Sequence, residues 1–264
     1  MQAPVAISIA GSDSSSGAGI QADLKTFSHF GVYALTVVTC VVAEVPGIVC
    51  SIQVVNKETI QKQLELGLAH FPISVIKTGM LYSAEIIDLI GDALEVFEPQ
   101  KRPLLVLDPV MIATSGDPLI QPEAIQRYIS RLFPLATLVT PNLDEASILL
   151  DRRLMTREEM RNGAVELYQK FRVPFLLKGG HLAFSKAIDL LVDEDGVRSF
   201  SKPYQYGIPT HGTGCTYSAA IAANLALNRP LGKSIRTAKQ YISQAIRESF
   251  RWDYNRKTVF ALRH

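Results

Sequence analysis

Cysteine is scarce in this 264-residue sequence, which limits the ways in which covalent or metal cross-links can hold the fold. The three cysteines, Cys40, Cys50 and Cys215, form neither an even set nor a C-x-x-C pair. We therefore expect neither a disulfide framework nor a structural zinc site. A chain of this kind suits a reducing compartment, so the sequence predicts a cytoplasmic protein.

Long apolar runs and a targeting segment are also lacking. The start, MQAPVAISIAGSD, has neither the basic region nor the long apolar core of a signal peptide. The longest uncharged apolar stretch, Val32 to Ala43, is too short to span a bilayer. The sequence therefore predicts a soluble protein without a membrane partner.

An excess of charge of one sign is absent as well. The 27 basic and 25 acidic residues are scattered along the chain and give a formal net charge of +2, so no footprint for nucleic acid is present. We expect a small-molecule partner instead. Basic residues are denser only near the end, in RESFRWDYNRKTVFALRH, where the pattern is assigned to a solvated terminal helix without a function.

Short β-branched runs alternate with longer segments of helical period, which is the rhythm of βαβ units. The strand candidates are VAISIA, YALTVVTCVVA, GIVCSIQVV, ISVIKTG, LLVLDPV, TLVT and PFLLKGG. The helix candidates between them span 19–30, 57–71, 83–97, 123–132, 142–150 and 156–171. Because the strands are continuously apolar, both faces of a mainly parallel sheet should be covered by helices.

The remaining third of the chain predicts a β-hairpin and two closing helices. AIDLLVD and VRSFSK flank the turn EDG, and helical patterns follow at 213–227 and 232–250. No internal repeat or polar linker separates domains, so residues 1–264 are predicted to form one α/β domain. In such a domain, ligands bind beyond the carboxyl ends of the strands.

The first strand runs into GSDSSSGAGIQADLKTF, Gly11 to Phe27. Its glycines allow backbone amides to approach a ligand closely, and Asp23 falls about one turn inside the next helix. The spacing matches neither the dinucleotide fingerprint nor the P-loop motif. A plain flexible turn remains an alternative for this stretch.

Two later strand ends carry oxygen ligands suited to magnesium. Asp108 ends a buried strand in LVLDPVM, where a carboxylate is costly unless it is paired or serves a cation. In VTPNLDEA, Asn142 and Glu145 stand three apart at a helix start and share one face. Such oxygens suit hydrated Mg²⁺. The alternative for Asn142 and Glu145 is an ordinary capping pair.

Lys178 ends the apolar strand of LLKGGHL beside two glycines. An ammonium group at this place is suited to contact a phosphate, although a lysine that extends to solvent from a strand end is equally common.

A glycine turn precedes the apolar helix candidate in IPTHGTGCTYSAAIAA. Gly212 and Gly214, on either side of Thr213, predict amide groups aimed at one point and reinforced by the helix dipole, which is an anion hole for a phosphoryl group. A helix N-terminus should also lower the pKa of Cys215, so that a thiolate can receive a proton from a substrate hydroxyl. A simple helix cap with a pocket-lining cysteine is the alternative, and His211 is assigned to the loop.

The motifs together resemble those of the hydroxymethylpyrimidine and phosphomethylpyrimidine kinases of thiamine biosynthesis, in the ribokinase-like superfamily. They are AGSDSSSGAGIQADLKTF, KTGML, DPVM, SGD, TPNLDEA, LKGGHL and HGTGCTYSAAIAA, and they run in collinear order from about Val5 to Leu227. The resemblance implies a three-layer α/β/α domain, a homodimer, and transfer of the γ-phosphate of ATP, with Mg²⁺, to the 5-hydroxymethyl group of an aminopyrimidine. A second transfer, onto the monophosphate, is common in the family.

The resemblance also assigns roles to residues of this chain. Gly11, Ala18, Asp23, Glu44 and Met80 would form the pyrimidine pocket; Asn142 and Glu145 would organise Mg²⁺; Asp108 would lie near the phosphates and Lys178 would contact them; Gly212, Thr213 and Gly214 would form the anion hole, with Cys215 facing the acceptor hydroxyl.

Two positions depart from the family pattern. Glu44 stands where relatives generally have glutamine, and a carboxylate cannot donate a hydrogen bond unless it is protonated. Either the ring or Glu44 is then protonated, or the substrate offers donors on both facing atoms. Thr114 stands where many relatives have lysine.

Two other functions are weighed against this one. A pyridoxal kinase is the alternative enzyme, because relatives of this branch phosphorylate that hydroxymethylpyridine and often differ at the position of Glu44. An inactive ligand-binding relative is the alternative outside catalysis, but it would have no need to keep Lys178, Asn142, Glu145 and the glycine turn together.

Overall fold

A computed structural model describes residues 3–112, 120, 122–180, 185–208, 211–255 and 257–264. Thr114, the SGD motif at Ser115 to Asp117, and the HL of LKGGHL lie outside these described residues.

A nine-stranded sheet forms the centre of the molecule. Its strands are β1 (Val5–Asp13), β2 (Tyr33–Val45), β3 (Ile48–Val54), β4 (Ile73–Thr78), β5 (Leu104–Leu107), β6 (Leu138–Val139), β7 (Phe175–Lys178), β8 (Lys186–Asp193) and β9 (Gly196–Pro203). They lie in the order β3-β2-β1-β4-β5-β6-β7-β8-β9. The six strands from β2 to β7 in this order are parallel, whereas β3, β8 and β9 pair antiparallel at the two edges.

Helices connect the strands and cover both faces of the sheet. They are α1 (Gly19–His29), α2 (Lys57–His70), α3 (Ala84–Glu95), α4 (Pro122–Arg127), α5 (Leu143–Leu150), α6 (Arg157–Phe171), α7 (Thr213–Ala226) and α8 (Leu231–Arg247). Capping boxes fix two of the helix starts: Asn142 with Glu145 at α5, and Thr156 with Glu159 at α6.

The alternation of side chains along the strands creates two apolar cores, one on each face. In β1, Ile7 and Ile9 belong to the core that α2 to α6 cover, whereas Ala6 belongs to the core under α1, α7 and α8. In β5, Leu105 and Leu107 likewise belong to the first core, and Val106 belongs to the second. The predicted three-layer α/β/α architecture with a mainly parallel sheet is therefore confirmed.

The C-terminal prediction of a solvated helix is wrong beyond Arg247. A second, two-stranded antiparallel sheet forms there from β10 (Phe250–Tyr254) and β11 (Lys257–Ala261). FRWDY alternates aromatic and charged residues, and KTVFA contains β-branched residues, a pattern that favours strands over a helix.

A smaller difference concerns the helix candidate at 123–132. It starts at Pro122, continues beyond Arg127 as a π-helical turn to Leu132, and ends in a 3₁₀ turn at Phe133–Leu135. Within the described ranges, no helix combines the length and apolarity that crossing a membrane requires.

Candidate active site

A cleft of about 530 Å³ opens at the carboxyl ends of the parallel strands, where the sheet topology places ligands. Of the residues predicted from the sequence, twelve line it: Gly11, Ala18, Glu44, Met80, Asp108, Asn142, Glu145, Lys178, Gly212, Thr213, Gly214 and Cys215. The thirteenth, Asp23, is not among its lining residues. The fold thus brings together groups that are as far apart in sequence as Gly11 and Cys215.

The glycine turn before α7 is held against the loop after β1. Gly212 is the N-cap residue of α7 and has φ +78°, a left-handed conformation that favours glycine. A Cβ atom built there would lie 1.7 Å from the carbonyl oxygen of Gly17, so no larger residue fits. Among the described residues, no side chain caps α7 at Gly212. The first turn of α7 lies at the wall of the cleft, as an anion hole requires.

Lys178 and Asp108 form an ion pair beside this turn. The Lys178 ammonium lies 2.8 Å from Asp108 Oδ1, and Thr140 and Ser218 donate further hydrogen bonds to the same carboxylate. Burial by itself would raise the pKa of Asp108, but the charges of Lys178 and Lys77 outweigh it and hold that pKa below its usual value. A Cβ atom on Gly214 would lie 3.3 Å from Lys178 Nζ. A fixed cation therefore stands directly beside the predicted anion hole.

Asn142 and Glu145 are a capping pair that also faces the cleft. Asn142 Oδ1 accepts from the Glu145 backbone N–H at 2.9 Å, and Glu145 Oε2 accepts from the Asn142 backbone N–H at 2.8 Å. Burial and the charge of Asp108 raise the pKa of Glu145 to about 7, although Lys178 opposes this shift. The carboxylate thus lacks a full counter-charge, a state that a bound cation would relieve.

The predicted lowering of the Cys215 pKa is wrong. Burial raises the pKa of this thiol to about 11; the charges of Asp23 and Asp108 add to the rise, and the Lys77 cation only partly offsets it. The helix N-terminus is therefore not the dominant influence, and the thiol is protonated at neutral pH. Cys215 lines the cleft beside Gly214, but it does not stand ready there as a base.

The structure does not place Asp23, which was assigned to the pyrimidine pocket, among the residues that line the cleft. The side chains of Asp23 and Lys77 are fully buried beneath the cleft, where Lys77 Nζ lies 2.9 Å from each carboxylate oxygen. Ser8 donates a third hydrogen bond to Asp23 at 2.6 Å. Asp23 lies one turn inside α1, as the spacing predicts, but that position points into the core between α1 and the sheet.

The predicted pyrimidine pocket, apart from Asp23, lines the same cleft. Gly11 is so close to Cys40 that a Cβ atom would meet its sulfur at 2.8 Å, and Thr39 fixes the backbone at Met80 through a 2.8 Å hydrogen bond. Glu44 lies at the end of β2, half-buried, with its backbone paired to the Ser14 hydroxyl. A flat ring would therefore meet apolar walls, with the Glu44 carboxylate facing it.

Sequence reasoning missed two polar residues of this pocket. Asp13 ends β1 and bonds to His211 Nε2 at 2.9 Å, and both line the cleft near Glu44. The rule that selected Asp108, an aspartate at the carboxyl end of a strand, would have selected Asp13 too. His211 was assigned to the loop before the glycine turn, and no sequence pattern connects it with a residue 198 positions earlier.

The fold and the cleft together define a ribokinase-like kinase of small molecules. The family model described as phosphomethylpyrimidine kinase matches residues 13–259. The chain belongs to the phosphomethylpyrimidine kinase family, as the motifs predicted, and the prediction of a phosphotransferase is confirmed.

Curated relatives agree with this placement. The hydroxymethylpyrimidine/phosphomethylpyrimidine kinase of Rhizobium meliloti is 42% identical over 243 residues, covering 92% of this chain and 90% of the relative. The thiamine biosynthesis bifunctional protein ThiED of Geobacter sulfurreducens is also 42% identical, and the match covers 91% of this chain. The chain spans only 49% of the length of that bifunctional relative.

Solved structures of two kinds of kinase are similar to the chain. Pyridoxal kinase of Bacillus subtilis in an ADP complex has a TM-score of 0.87 at 35% identity, with 99% of this chain and 98% of the other covered. Pyridoxal kinase of Staphylococcus aureus with AMP-PCP and pyridoxal gives 0.88 at 32% identity, with 100% and 94% covered. Phosphomethylpyrimidine kinase of Clostridium difficile gives 0.78 at 38% identity, with 92% and 99% covered.

Proposed function

We propose that this chain transfers the γ-phosphoryl group of ATP to the hydroxymethyl group of 4-amino-5-hydroxymethyl-2-methylpyrimidine, and then to the resulting monophosphate, in thiamine biosynthesis. The observation that carries the proposal is the convergence on one cleft of the α7 turn, the Lys178–Asp108 pair and the Glu44 pocket. The family membership and the names of the curated relatives support the same reaction.

The reaction joins the acceptor oxygen to the γ-phosphorus while the bond from that phosphorus to the β–γ bridging oxygen breaks, and the proton of the acceptor hydroxyl is released to water. Catalysis of this kind consists mainly of positioning and of stabilising negative charge. In the proposal, Gly212, Thr213 and Gly214 direct amide groups at the phosphoryl oxygens, and Lys178 adds a cation beside them. Their fixed orientation means that little reorganisation accompanies the transfer.

Two residues fit the magnesium ion that such reactions use. Glu145 and Asn142 present hard oxygen atoms at the cleft, and the raised pKa of Glu145 indicates a carboxylate in need of positive charge. Mg²⁺ bound there would neutralise part of the charge on the ATP phosphates. Asp108, held by Lys178, would lie near the same phosphates and keep the Lys178 ammonium in place.

Cys215 is a contact for the acceptor hydroxyl in this proposal, not a resting base. Because its pKa is about 11, a proton from the hydroxyl has no thiolate to receive it before the reaction begins. The loose transition state of phosphoryl transfer makes only a small demand on a base. Cys215→Ala should then slow the chemical step moderately while ATP binding persists, and full turnover in that variant would make the thiol a spectator.

The proposal also includes a homodimer, as the resemblance implies, and a cytoplasmic location. Exposed apolar side chains on the β2–β3 hairpin support the homodimer, since a second subunit would remove them from water; they are Val41, Val45, Ile48 and Val49. Analytical ultracentrifugation measures the assembly directly, and a monomer at micromolar concentration would contradict this part.

The decisive experiment incubates the purified chain with ATP, Mg²⁺ and the hydroxymethylpyrimidine, and identifies products by mass spectrometry. We expect the monophosphate first and the pyrophosphate later, with matching release of ADP. Pyridoxal is tested in parallel, because the chain superposes on pyridoxal kinases over nearly its full length with TM-scores of 0.87 and 0.88. A larger kcat/KM for pyridoxal would assign the chain to that second activity. Tight binding of either alcohol without turnover would support an inactive ligand-binding relative instead.

A further inference from the structure

Three titratable side chains meet at the substrate end of the cleft. Asp13 ends β1, Glu44 lies at the end of β2, and His211 directly precedes the glycine turn of α7. One carboxylate or imidazole atom from each lies within 4.8 Å of the corresponding atoms of the other two. Three separate segments of the chain therefore place these groups in mutual electrostatic contact.

Asp13 is the fixed anion of this group. Its carboxylate accepts hydrogen bonds from the backbone N–H groups of Ser15, Gly17 and Ala18 and from His211 Nε2. Burial by itself would raise the pKa of Asp13, but these hydrogen bonds outweigh it and hold the pKa well below its usual range. Asp13 is therefore ionised at any pH near neutrality, and it requires a proton on the facing imidazole nitrogen.

The contact with the Asp13 carboxylate makes His211 Nε2 a hydrogen-bond donor and favours the protonated ring. The hydrogen bond to Asp13 raises its pKa, burial opposes the rise, and the charges of Asp13 and Glu44 add to it. The ring also packs tightly on the loop after β1, because a Cβ atom on Gly17 would meet His211 Cδ2 at 2.6 Å. The His211 ring is thus fixed by the loop after β1 and by the bond from its Nε2 to Asp13, with Glu44 nearby.

Asp13 and His211 shift the pKa of Glu44 in opposite directions. Burial and the charge of Asp13 raise its pKa, and the charge of His211 lowers it. The Cys40 thiol of β2 also interacts with Glu44, since burial and the charge of Glu44 raise the pKa of this thiol. Lys25 of α1 is directed away, since its ammonium binds the carbonyl oxygen of Ser16. His211 is therefore the cation that acts on Glu44.

This composition also occurs in metal sites, but the hydrogen bonds favour another use. Asp13 Oδ2 already accepts from two backbone amides and from His211 Nε2, so the aspartate and that imidazole nitrogen face each other and not a shared central point. The group that retains free acceptor capacity toward the cleft is Glu44.

We propose that His211, held by Asp13, is the counter-ion that keeps Glu44 ionised, and that the Glu44 carboxylate selects a heterocycle carrying two adjacent N–H donors. An aminopyrimidine protonated on the ring nitrogen beside its amino group has this edge. Two parallel N–H groups then meet two carboxylate oxygens, the same geometry by which a guanidinium binds a carboxylate. The inference rests on the proposed function only in that a heterocyclic alcohol binds in this cleft.

Calorimetry tests the selection without requiring turnover. The hydroxymethylpyrimidine is titrated into the chain near neutral pH in two buffers of different ionisation enthalpy, which reports the protons taken up on binding. We expect proton uptake in the wild type, because the neutral ring must be protonated to bind. Glu44→Gln should bind without proton uptake, since an amide both donates and accepts. Binding of the neutral ring to the wild type, with no proton uptake, would overturn the proposal.

The pH dependence of kcat/KM for the alcohol tests the role of His211. In the wild type its acid limb reports protonation of Glu44, and His211→Asn should move that limb upward by about one pH unit or more, because an opposite charge this close lowers an acid's pKa by roughly 1–3 units. His211→Lys retains a cation and should return the limb toward its wild-type position. His70→Asn, at the exposed end of α2, is the matched control. KM for ATP is measured in the same variants. An unchanged KM for ATP shows that the α7 turn is intact, so that the shifted limb reports the effect on Glu44.

A readout that is independent of the kinase reaction is the imidazole NMR titration of His211. Its midpoint should lie above the ordinary value of about 6.5 in the wild type and fall in both Asp13→Asn and Glu44→Gln. If neither alcohol is phosphorylated, the proposed function fails while this titration still decides the His211 assignment. Two results would overturn the assignment of His211 as the counter-ion of Glu44. One is a His211 titration midpoint that neither substitution moves, and the other is an acid limb of kcat/KM that stays in place in His211→Asn.

Discussion

The ammonium group of Lys178 lies 2.8 Å from Asp108 Oδ1, and the pair stands beside Gly214 at the start of α7. Burial would lower the pKa of Lys178, but the charges of Asp108 and Glu145 raise it above its ordinary value. Lys178 is therefore a permanent cation at the wall of the cleft. Lys178 and Asp108 hold each other in place, so removal of either one should leave the other charge buried without its partner and destabilise the fold.

Lys178→Met should reduce kcat by about 100-fold or more, as the loss of one oxyanion-hole donor does in other enzymes. The same change leaves Asp108 buried without its nearest cation, so the free energy of unfolding should fall by about 3 kcal/mol. Adding Asp108→Asn should recover much of the stability but not the activity. Urea denaturation and turnover of both variants and of the wild type measure both effects. Lys186→Met, an exposed lysine on β8, is the control, and unchanged kcat in Lys178→Met would contradict the assignment.

Gly214→Ala tests the anion hole with a single methyl group. The new Cβ would lie 3.3 Å from Lys178 Nζ and 3.9 Å from Asp108 Oδ2, in the space where a phosphoryl oxygen is expected. Alanine is favoured over glycine inside a helix by up to about 1 kcal/mol, so stability should not fall. We expect kcat to drop by about 100-fold with Tm unchanged or higher. Gly232→Ala, at the start of α8, is the matched control; equal activities of the two variants would remove Gly214 from the site.

The sequence was sufficient for the layers of the fold because apolar periodicity reports burial directly. In the continuous run LLVL, Leu105 to Leu107 are buried on both faces and the strand pairs in parallel, as predicted, whereas Leu104 at its start is exposed. The end of the chain was predicted wrongly because period 2 in Phe250–Tyr254 is short and follows a genuine helix without a break. That residues 1–264 form one domain stays a prediction.

Site residues could be predicted from the sequence where they directly follow a strand. They could not be predicted where their role depends on the residues packed around them. Asp108 and Lys178 follow their strands and line the cleft. Asp23 and Cys215 show why. Neighbours that are distant in sequence, such as Lys77, decide whether Asp23 on α1 faces the core. They also decide whether burial outweighs the helix dipole in setting the pKa of Cys215. The Asp13–His211 contact likewise exists only after α7 docks on the loop after β1.

Asp23→Leu should destabilise the chain far more than the double variant Asp23→Leu/Lys77→Met. Both side chains are fully buried, so removal of the aspartate leaves an uncompensated ammonium, at a cost of about 3–5 kcal/mol. An apolar pair of similar volume removes that charge and should recover most of the loss. Chemical denaturation of the two single variants and the double variant gives the coupling energy. Additive single effects would show that the ion pair does not act as a unit.

Cys215 should react slowly with iodoacetamide at neutral pH. With a pKa of about 11, its thiolate fraction and hence its alkylation rate should rise about tenfold per pH unit up to pH ~10. Peptide mass spectrometry in a Cys50→Ser background follows Cys215 alone, since Cys50 is exposed and Cys40 is buried. Rapid labelling of Cys215 near pH 7 would show that the thiol is activated after all.

Glu145 and Glu159 occupy the same capping-box position in α5 and α6, but their burial differs. Glu145 is 3% exposed and has its pKa raised to about 7, whereas backbone hydrogen bonds lower the pKa of Glu159, which is only partly buried. An acid whose pKa is higher in the folded chain than in the unfolded chain stabilises the fold below its unfolded pKa, and that stabilisation is lost as pH rises through the folded value. Glu145 should therefore lower the free energy of unfolding by up to about 3 kcal/mol between pH ~4.5 and ~7. Glu145→Gln should remove this slope, and Glu159→Gln should not.

The same shift gives a test of the magnesium site. A metal ion binds the ionised carboxylate and competes with its proton, so the apparent Mg²⁺ affinity should rise by up to about tenfold per pH unit below pH ~7 and level off above it. The rise in Tm with MgCl₂, measured at several pH values on both sides of neutrality, follows this affinity without any need for turnover. Glu145→Gln should abolish the pH-dependent response, and Glu159→Gln should keep it, because Glu159 holds the same capping-box position but does not line the cleft. A Mg²⁺ response of equal size in both variants would place the ion elsewhere, and Glu145 would then be only the cap of α5.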